Sequence, residues 1–144
     1  MNIYFCGSIR GGRDLASTYA EMIAMLGAYG RVLTEHLGSD EVIEAKDRVL
    51  SDKEIHDRDL QWIVESDLLV AEVTVPSLGV GYEIGRAIEM GKPVMCLFQQ
   101  DSEYTISAMI SGSESVEMNY YKSLEEVKDL FDAFFSTHAP HRTS

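Results

Sequence analysis

The stretch that decides the fold is LLVAEV, residues 68–73. Its residues are largely apolar and do not alternate with polar ones, which is typical of a parallel strand covered on both faces. The run VMCLF at residues 94–98 has the same character. Both runs are short and lie between segments of helical periodicity, so we predict two central strands of a parallel sheet.

The flanking sequence repeats this alternation of strands and helices. Strand-like runs occupy residues 3–6, 31–34 and 116–120, and a helical pattern covers residues 14–29. Such alternation predicts the α/β class: a single doubly wound domain of Rossmann or flavodoxin-like type with a five-stranded parallel sheet. Gly30 and Gly91 follow helical segments, where a left-handed cap is expected.

The chain has the length of one ordinary domain, 144 residues. We predict that the domain spans residues 1–136 and that residues 137–144 form a flexible polar tail. The highly charged residues 38–50 fit either a loose helix or a loop.

Composition restricts the class of partner. Asp and Glu outnumber Lys and Arg by 24 to 12, and the net charge of −12 opposes binding to a nucleic-acid polymer. No apolar run approaches the roughly 20 residues that cross a membrane. The strand pattern begins at Asn2 and leaves no room for a signal peptide, and Cys6 and Cys96 lie in apolar runs. These features predict a soluble cytoplasmic protein with reduced thiols.

The loop after the first strand has the composition of an anion-binding site. Ligands of doubly wound sheets bind beyond the carboxyl ends of the strands, and the loop there reads GSIRGG, residues 7–12. Backbone N–H groups, the Ser8 hydroxyl and the Arg10 guanidinium are suited to a phosphate. The loop is neither GxGxxG nor a P-loop, and the alternative interpretation is a plain glycine-rich turn.

The loop after residue 73 leads to Glu83. Glu83 falls in or near the first turn of the next helix, where the helix dipole favours an ionised carboxylate, as a nucleophile requires. With Ile84, Ala87 and Ile88 as the buried stripe, Glu83 lies at its margin and can face a cleft. The alternative is a simple partner of the helix dipole.

A second carboxylate lies on the helix before residue 68. Ser51 and Glu54 form a capping box that fixes the start of this helix. On the helical wheel, Asp59 falls inside an apolar arc, between Ile55 and Ile63. An unpaired carboxylate there costs several kcal/mol, so we predict a functional role that brings it towards Glu83, or else a buried Asp that caps a neighbouring loop.

The remaining polar positions are less specific. Residues 105–109 look like a helix start with ordinary serine capping. His36, directly after the second strand, is a candidate ligand contact, although a lone histidine more often satisfies a local hydrogen bond. His138 and His141 lie near the chain end without the pattern of a metal site. We expect no metal and no cofactor.

Six strings carry a resemblance to a known family: YFCGSIRGGR (4–13), LTEH (33–36), IHDRDLQW (55–62), AEVTVPSLGVGYEIGRA (71–87), CLF (96–98) and SAMI (107–110). In this order they closely resemble the 2'-deoxynucleoside 5'-phosphate N-hydrolase (Rcl) family, which is related to the nucleoside 2-deoxyribosyltransferases. The resemblance runs from Tyr4 to about Ile110. Residues 38–50 and the last helix contribute little to it.

The resemblance implies hydrolysis of the N-glycosidic bond of 2'-deoxynucleoside 5'-monophosphates. Glu83 would be the nucleophile that forms a glycosyl-enzyme intermediate, with Asp59 assisting proton transfer and Tyr4 lining the sugar site. The family also implies a homodimer in which Ser107, Ala108 and Met109 reach the neighbouring active site. The substrate-binding set it implies is Gly7, Ser8, Ile9, Arg10, Gly11, Gly12, Tyr19, His36, Ser77, Gly79, Ser107, Ala108 and Met109.

The sequence is also compatible with three other functions. A nucleoside 2-deoxyribosyltransferase would use the same intermediate, although the phosphate loop disfavours it. A ribonucleotide hydrolase acting on CMP-type substrates is closely related. A non-catalytic nucleotide-binding module on the same fold is disfavoured by Asp59 in an apolar arc. A retaining double displacement further predicts that the two carboxyl groups lie roughly 5 Å apart.

Overall fold

A computed structural model of the protein describes residues 1–9, 15–35 and 49–139. Within them, one sheet contains the strands β1 (Asn2–Gly7), β2 (Arg31–Val32), β3 (Leu68–Glu72), β4 (Val94–Gln99) and β5 (Val116–Tyr121). Their order is β2-β1-β3-β4-β5, and every neighbouring pair is parallel. This is the flavodoxin-like strand order, and the predicted fold class is confirmed.

The described helices are α1 (Ala16–Leu26), α2 (Asp52–Glu65), α3 (Leu78–Glu89), α4 (Ala108–Ser111) and α5 (Leu124–His138). Serine side chains cap the first backbone N–H groups of α2, α3, α4 and α5, because a hydroxyl at this position accepts a donor that the helix leaves unpaired. The capping box predicted for Ser51 and Glu54 is present. These caps fix where each helix begins relative to the sheet.

The sheet separates two apolar cores. Along β1, Ile3 and Phe5 face one core and Tyr4 and Cys6 face the other, as the two-residue period of a strand requires. Helices α1 and α5 cover the first core, and α2 and α3 cover the second. The candidate catalytic residues on β1, α2 and α3 therefore share one face of the sheet.

Strand β2 is shorter than predicted. It pairs with β1 only at Arg31 and Val32, because the Thr34 side chain takes over from the backbone ladder. Its hydroxyl donates to the Phe5 carbonyl at 2.6 Å and accepts the Phe5 N–H at 3.0 Å. In the predicted strand over residues 31–34, Arg31 and Val32 pair with β1 through the backbone, whereas Thr34 is bonded to β1 through its side chain.

Of the two predicted glycine caps, one is present. Gly91 has a φ of 72° after α3, the left-handed cap that the sequence predicts. Gly30 is not left-handed; a Cβ there would lie 2.4 Å from the Met1 carbonyl oxygen. Gly30 is needed for a close backbone approach, and the prediction of a left-handed cap there was wrong.

The terminal elements differ in extent from the predicted ones. Helix α1 covers Ala16–Leu26 instead of residues 14–29, whose first position lies outside the described residues. Helix α5 continues to His138, two residues into the predicted tail, and the division at residue 136 stays a prediction. No helix in the described residues is both long and apolar enough to cross a membrane.

Candidate active site

The site lies where β1 and β3 end side by side. These strands are paired up to Gly7 and Glu72, and the strand order reverses its direction between them. Ligands of doubly wound sheets bind at this reversal. The loop after β1 contains Ser8, and the loop after β3 leads into α3 with Glu83. The two loops that the sequence singles out therefore meet at one edge of the sheet.

Helix α3 begins earlier than predicted from the sequence, which placed Glu83 in or near the first turn. The Ser77 hydroxyl accepts the Val80 N–H at 3.3 Å and starts the helix at Leu78. Glu83 therefore lies in the second turn, beyond the turn over which the helix dipole acts most strongly. The dipole contributes less to its ionisation than the sequence suggested.

Burial is the main influence on Glu83. The pKa of Glu83 is raised from 4.5 to about 7: burial is the largest cause, the nearby Asp59 carboxylate adds to the rise, and hydrogen bonds from the Tyr4 hydroxyl and the Cys6 thiol oppose it. Its Oε2 atom is buried and has no hydrogen-bond partner within the described part of the chain. A buried carboxylate with one free oxygen is chemically unusual, and such a partly desolvated group is a candidate nucleophile.

Tyr4 and Cys6 line the same face of β1 beside Glu83. Tyr4 is only 2% exposed, and burial together with Glu83 and Asp59 raises the pKa of its hydroxyl. Burial also raises the pKa of the Cys6 thiol. Both groups therefore stay protonated and act as donors towards the Glu83 carboxylate. The sequence analysis missed Cys6, although its two-residue spacing from Tyr4 placed it on the same face.

Asp59 is partly buried, with 22% of its side chain exposed. The Arg58 Nε donates to its Oδ1 at 3.0 Å, and the Arg58 guanidinium lies 4.8 Å from the centre of the Trp62 ring. The predicted apolar arc around Asp59 therefore also carries a cation. Burial is the largest cause of the raised pKa values of Glu83, Tyr4 and Cys6, and the nearby Asp59 carboxylate raises all three as well.

The first three residues of the predicted phosphate loop lie within the described part of the chain. Gly7 and Ser8 are buried and Ile9 is exposed. The Tyr19 ring packs on Gly7, and its buried hydroxyl lies beside the Ser8 backbone. The other predicted loop residues, Arg10, Gly11 and Gly12, lie outside the described residues, as does His36.

The remaining predicted binding residues follow β3 and β4. Ser77 caps α3, and Gly79 is exposed in the first turn of that helix. Ser107 caps the short helix α4, where its hydroxyl accepts the Met109 N–H at 3.2 Å. Ala108 and Met109 are exposed, Met109 by 83%. In the single chain, residues 107–109 therefore face solvent.

A second buried carboxylate escaped the sequence analysis. Glu72 is fully buried at the end of β3; it accepts the Tyr121 hydroxyl at 2.6 Å and the Thr74 N–H at 2.6 Å. Burial raises the pKa of Glu72, and these hydrogen bonds oppose the rise. The available signal was a carboxylate within the apolar run 68–73. Glu72 ties the ends of β3 and β5 together below the loop that leads to α3.

In the residues that the structure covers, no group of three or more His, Cys, Asp or Glu side chains is arranged so that it could hold a metal ion. The expectation that the reaction uses no metal and no cofactor stays a prediction.

Several known proteins are similar in sequence to this chain. Residues 3–130 match the family model described as nucleoside 2-deoxyribosyltransferase. A Danio rerio protein named 5-hydroxymethyl-dUMP N-hydrolase is 48% identical over 140 residues, which cover 95% of this chain and 97% of that protein. The Rattus norvegicus protein of the same name is 43% identical over 146 residues, 99% of this chain and 90% of its own.

A solved structure of low sequence identity has the same fold. The Clostridium botulinum CMP N-glycosidase BcmB superposes with a TM-score of 0.65 at 20% identity and covers 93% of this chain and 99% of its own. The enzyme class predicted from the sequence, an N-glycosidase, is confirmed by these comparisons. The chain belongs to the nucleoside 2-deoxyribosyltransferase family.

Proposed function

We propose that this protein hydrolyses the N-glycosidic bond of 2'-deoxynucleoside 5'-monophosphates, releasing the free base and 2-deoxyribose 5-phosphate. The observation that carries the proposal is the buried Glu83 carboxylate, which has one free oxygen and lies among Tyr4, Cys6 and Asp59. The names of the Danio rerio and Rattus norvegicus relatives support the substrate class, because 5-hydroxymethyl-dUMP is itself a 2'-deoxynucleoside 5'-monophosphate.

In the first step, an oxygen of ionised Glu83 attacks C1' of the sugar while the bond from C1' to the base nitrogen breaks. The departing base takes the bonding electron pair and receives a proton, which Asp59 delivers in its protonated form. The Tyr4 hydroxyl donates to the carboxylate before attack and holds it towards the sugar. The product of this step is a glycosyl ester on Glu83 and a free base.

In the second step, water attacks C1' of the ester from the face that the base has left. Asp59, now ionised, accepts the proton of this water, and the bond from C1' to Glu83 breaks. Glu83 is released as a carboxylate and the sugar leaves as 2-deoxyribose 5-phosphate. Because two displacements occur at C1', the sugar keeps its original configuration.

The 5'-phosphate is assigned to the loop after β1 and to the start of α3. Backbone N–H groups at Gly7 and Ser8, the Ser77 hydroxyl and Gly79 contribute, together with the Tyr19 hydroxyl below the loop. Ile9 adds an apolar wall. The assignment also includes Arg10, Gly11 and Gly12 of the loop after β1, whereas His36, directly after the second strand, is proposed as a further contact to the substrate.

We also propose that the active enzyme is a homodimer. Ser107, Ala108 and Met109 lie on the exposed projection after β4, so they are available to a second copy. A cytoplasmic location belongs to the same proposal; it is supported by the two buried free thiols, Cys6 and Cys96, which suit a reducing compartment.

The testing experiment measures release of free base from dGMP, dCMP, 5-hydroxymethyl-dUMP, GMP, CMP and deoxyguanosine in separate incubations. We expect release from the deoxynucleoside monophosphates, little from the ribonucleotides and little from the nucleoside. Equal release from CMP and dCMP would replace the proposal with a ribonucleotide hydrolase. Base exchange with an added acceptor base, without net hydrolysis, would replace it with a transferase.

The covalent step is tested separately with methanol as a competing acceptor. A retaining double displacement gives the methyl glycoside with the configuration of the substrate, which NMR identifies. Inverted product would rule out the Glu83 ester and indicate direct attack by water. Glu83→Gln is the matched variant, because it keeps the shape of the side chain but removes the nucleophile.

A further inference from the structure

The helices that carry Asp59 and Glu83 are joined at the surface by hydrogen bonds centred on Tyr82. The Tyr82 hydroxyl lies 2.8 Å from Nε2 of His56 on α2, and it accepts from Nη1 of Arg86 on its own helix at 2.6 Å. The His56 Nδ1 lies 2.9 Å from Oδ1 of Asp57. The ring centres of His56 and Tyr82 are 5.5 Å apart.

These contacts form one consistent chain of donors and acceptors. Arg86 donates to the Tyr82 oxygen, the Tyr82 O–H donates to Nε2 of His56, and Nδ1–H of His56 donates to Asp57. Lys53 pairs with the same carboxylate. The His56 ring thus lies between Asp57 on one side and Tyr82 on the other.

The members of this hydrogen-bond network are close in sequence to both candidate catalytic carboxylates. Tyr82 directly precedes Glu83 on α3, and His56 lies one helical turn before Asp59 on α2. The bond between His56 and Tyr82 therefore joins the two helices close to the residues whose spacing the chemistry requires. Neither residue belongs to the predicted catalytic or phosphate-binding sets.

We propose that Tyr82 is a positioning residue for the glycosidic cleavage: its hydroxyl, held between Arg86 and His56, fixes the separation of Asp59 and Glu83. This inference rests on the proposed function. An exposed hydrogen bond on its own contributes little. A network of several bonds holds its geometry better than separate pairs, and a displacement of about 1 Å at reacting groups can lower a rate roughly 100-fold.

The first test is the kinetics of Tyr82→Phe, which removes the hydroxyl and keeps the ring. We expect kcat to fall roughly three- to tenfold while KM for the deoxynucleotide changes less than twofold, because the phosphate loop is untouched. The matched control is Tyr120→Phe: Tyr120 on β5 is 46% exposed, as is Tyr82, and its substitution should leave kcat unchanged. Equal kcat for wild type and Tyr82→Phe would overturn the proposal.

The second test does not depend on turnover. Carboxyl ¹³C NMR of glutamate-labelled protein gives the pKa of Glu83, whose signal is identified by its loss in Glu83→Gln. Tyr4 and Cys6 from β1 and Asp59 from α2 face Glu83; Lys53, Asp57 and Arg86 are the charged members of the network. If α2 moves away in Tyr82→Phe, Asp59 repels the carboxylate less and water enters, so the pKa of Glu83 should fall towards 4.5.

The two readouts separate the failure of the positioning role from the failure of the proposed function. An inactive wild type with a Tyr82-dependent pKa of Glu83 would refute the hydrolase but keep the positioning role. An active wild type in which Tyr82→Phe leaves both kcat and this pKa unchanged would refute the positioning role alone.

A double-mutant cycle provides the last check. His56→Phe keeps the ring contact and removes the bond to Tyr82, so it should reproduce the kcat and the shifted pKa of Tyr82→Phe. Residues that act through one bond give non-additive effects, and the double variant should be no worse than either single one. Additive losses of kcat would show that the two side chains act independently and would overturn the proposal.

Discussion

Tyr19 lies against Gly7 so closely that a Cβ at residue 7 would be 2.8 Å from Tyr19 Cζ. Because the Tyr19 ring is buried, it has little room to retreat. We expect Gly7→Ala to lower the free energy of unfolding by about 1–3 kcal/mol and to raise KM for a deoxynucleoside monophosphate, since the displaced ring disturbs the loop proposed to bind its phosphate. Urea unfolding and steady-state kinetics measure the two effects.

Gly85→Ala is the control for this substitution. Gly85 lies within α3, and a Cβ there meets nothing within 4 Å. Alanine should therefore stabilise the helix by up to about 1 kcal/mol and leave KM unchanged. If Gly7→Ala matched this control in both measurements, the packing of Tyr19 would not define the loop.

Tyr121→Phe is expected to destabilise the fold, because it leaves Oε2 of the buried Glu72 without its donor. An unsatisfied buried acceptor costs about 1–3 kcal/mol, measurable as a lower midpoint of urea unfolding at unchanged slope. Tyr104→Phe removes an exposed hydroxyl elsewhere and should have no effect on the midpoint. A Tyr121→Phe midpoint equal to that of wild type would mean that water or a rearranged side chain replaces this hydrogen bond.

The sequence predicts the fold well because its signals are local. Apolar runs such as residues 68–73, alternation along β1 and the cap at Ser51 depend on neighbours a few residues away. The length of β2 was not predictable in this way. It depends on a side-chain bond between Thr34 and Phe5, which are 29 residues apart and meet only once the sheet has formed.

The site was predictable in part for the same reason. Asp59 stood out as a charge in an apolar arc, and Glu83 by its place after the most buried strand; their roles came from the family resemblance. The pairs Glu72 with Tyr121 and His56 with Tyr82 join residues 49 and 26 positions apart. Their contacts follow from strand order and helix packing, which no local pattern encodes.

The rate of base release should depend on the ionisation of Glu83. Since burial raises the pKa of Glu83 to about 7 and the nucleophile must be ionised, kcat/KM should be low at pH 5.5 and rise about tenfold per pH unit towards pH 7. The limb above pH 7 is set by the loss of the Asp59 proton that the mechanism requires. The measurement is a pH profile of kcat/KM with dGMP. A profile that is flat between pH 5.5 and 8 would show that no group with this pKa limits the reaction.

Glu83→Gln should make the protein more stable, and more so at high pH. The folded-state pKa of Glu83, about 7, exceeds its unfolded value near 4.5, so the native state binds the extra proton and loses stability as pH rises through this window. Glutamine does not titrate. Its gain in unfolding free energy should be larger at pH 8 than at pH 5.5 by on the order of 1–2 kcal/mol; an equal gain at both pH values would contradict the raised pKa.

Mixing two inactive variants tests whether each active site is shared between two copies. Ser107→Asp keeps a good N-cap for α4 but places a negative charge in the neighbouring active site of the proposed homodimer, where it repels the anionic substrate, so it should be nearly inactive. In a mixed dimer with Glu83→Gln, one site combines an intact Glu83 with an intact Ser107. Random exchange of subunits should therefore restore about one quarter of wild-type activity, measured as base release after co-refolding the two variants.

The control is the stability of Ser107→Asp. Because Asp preserves the cap, its unfolding midpoint should match that of wild type, and its inactivity is then not caused by loss of folding. No recovery in a mixture shown by native mass spectrometry to contain mixed dimers would mean that Ser107 acts within its own chain.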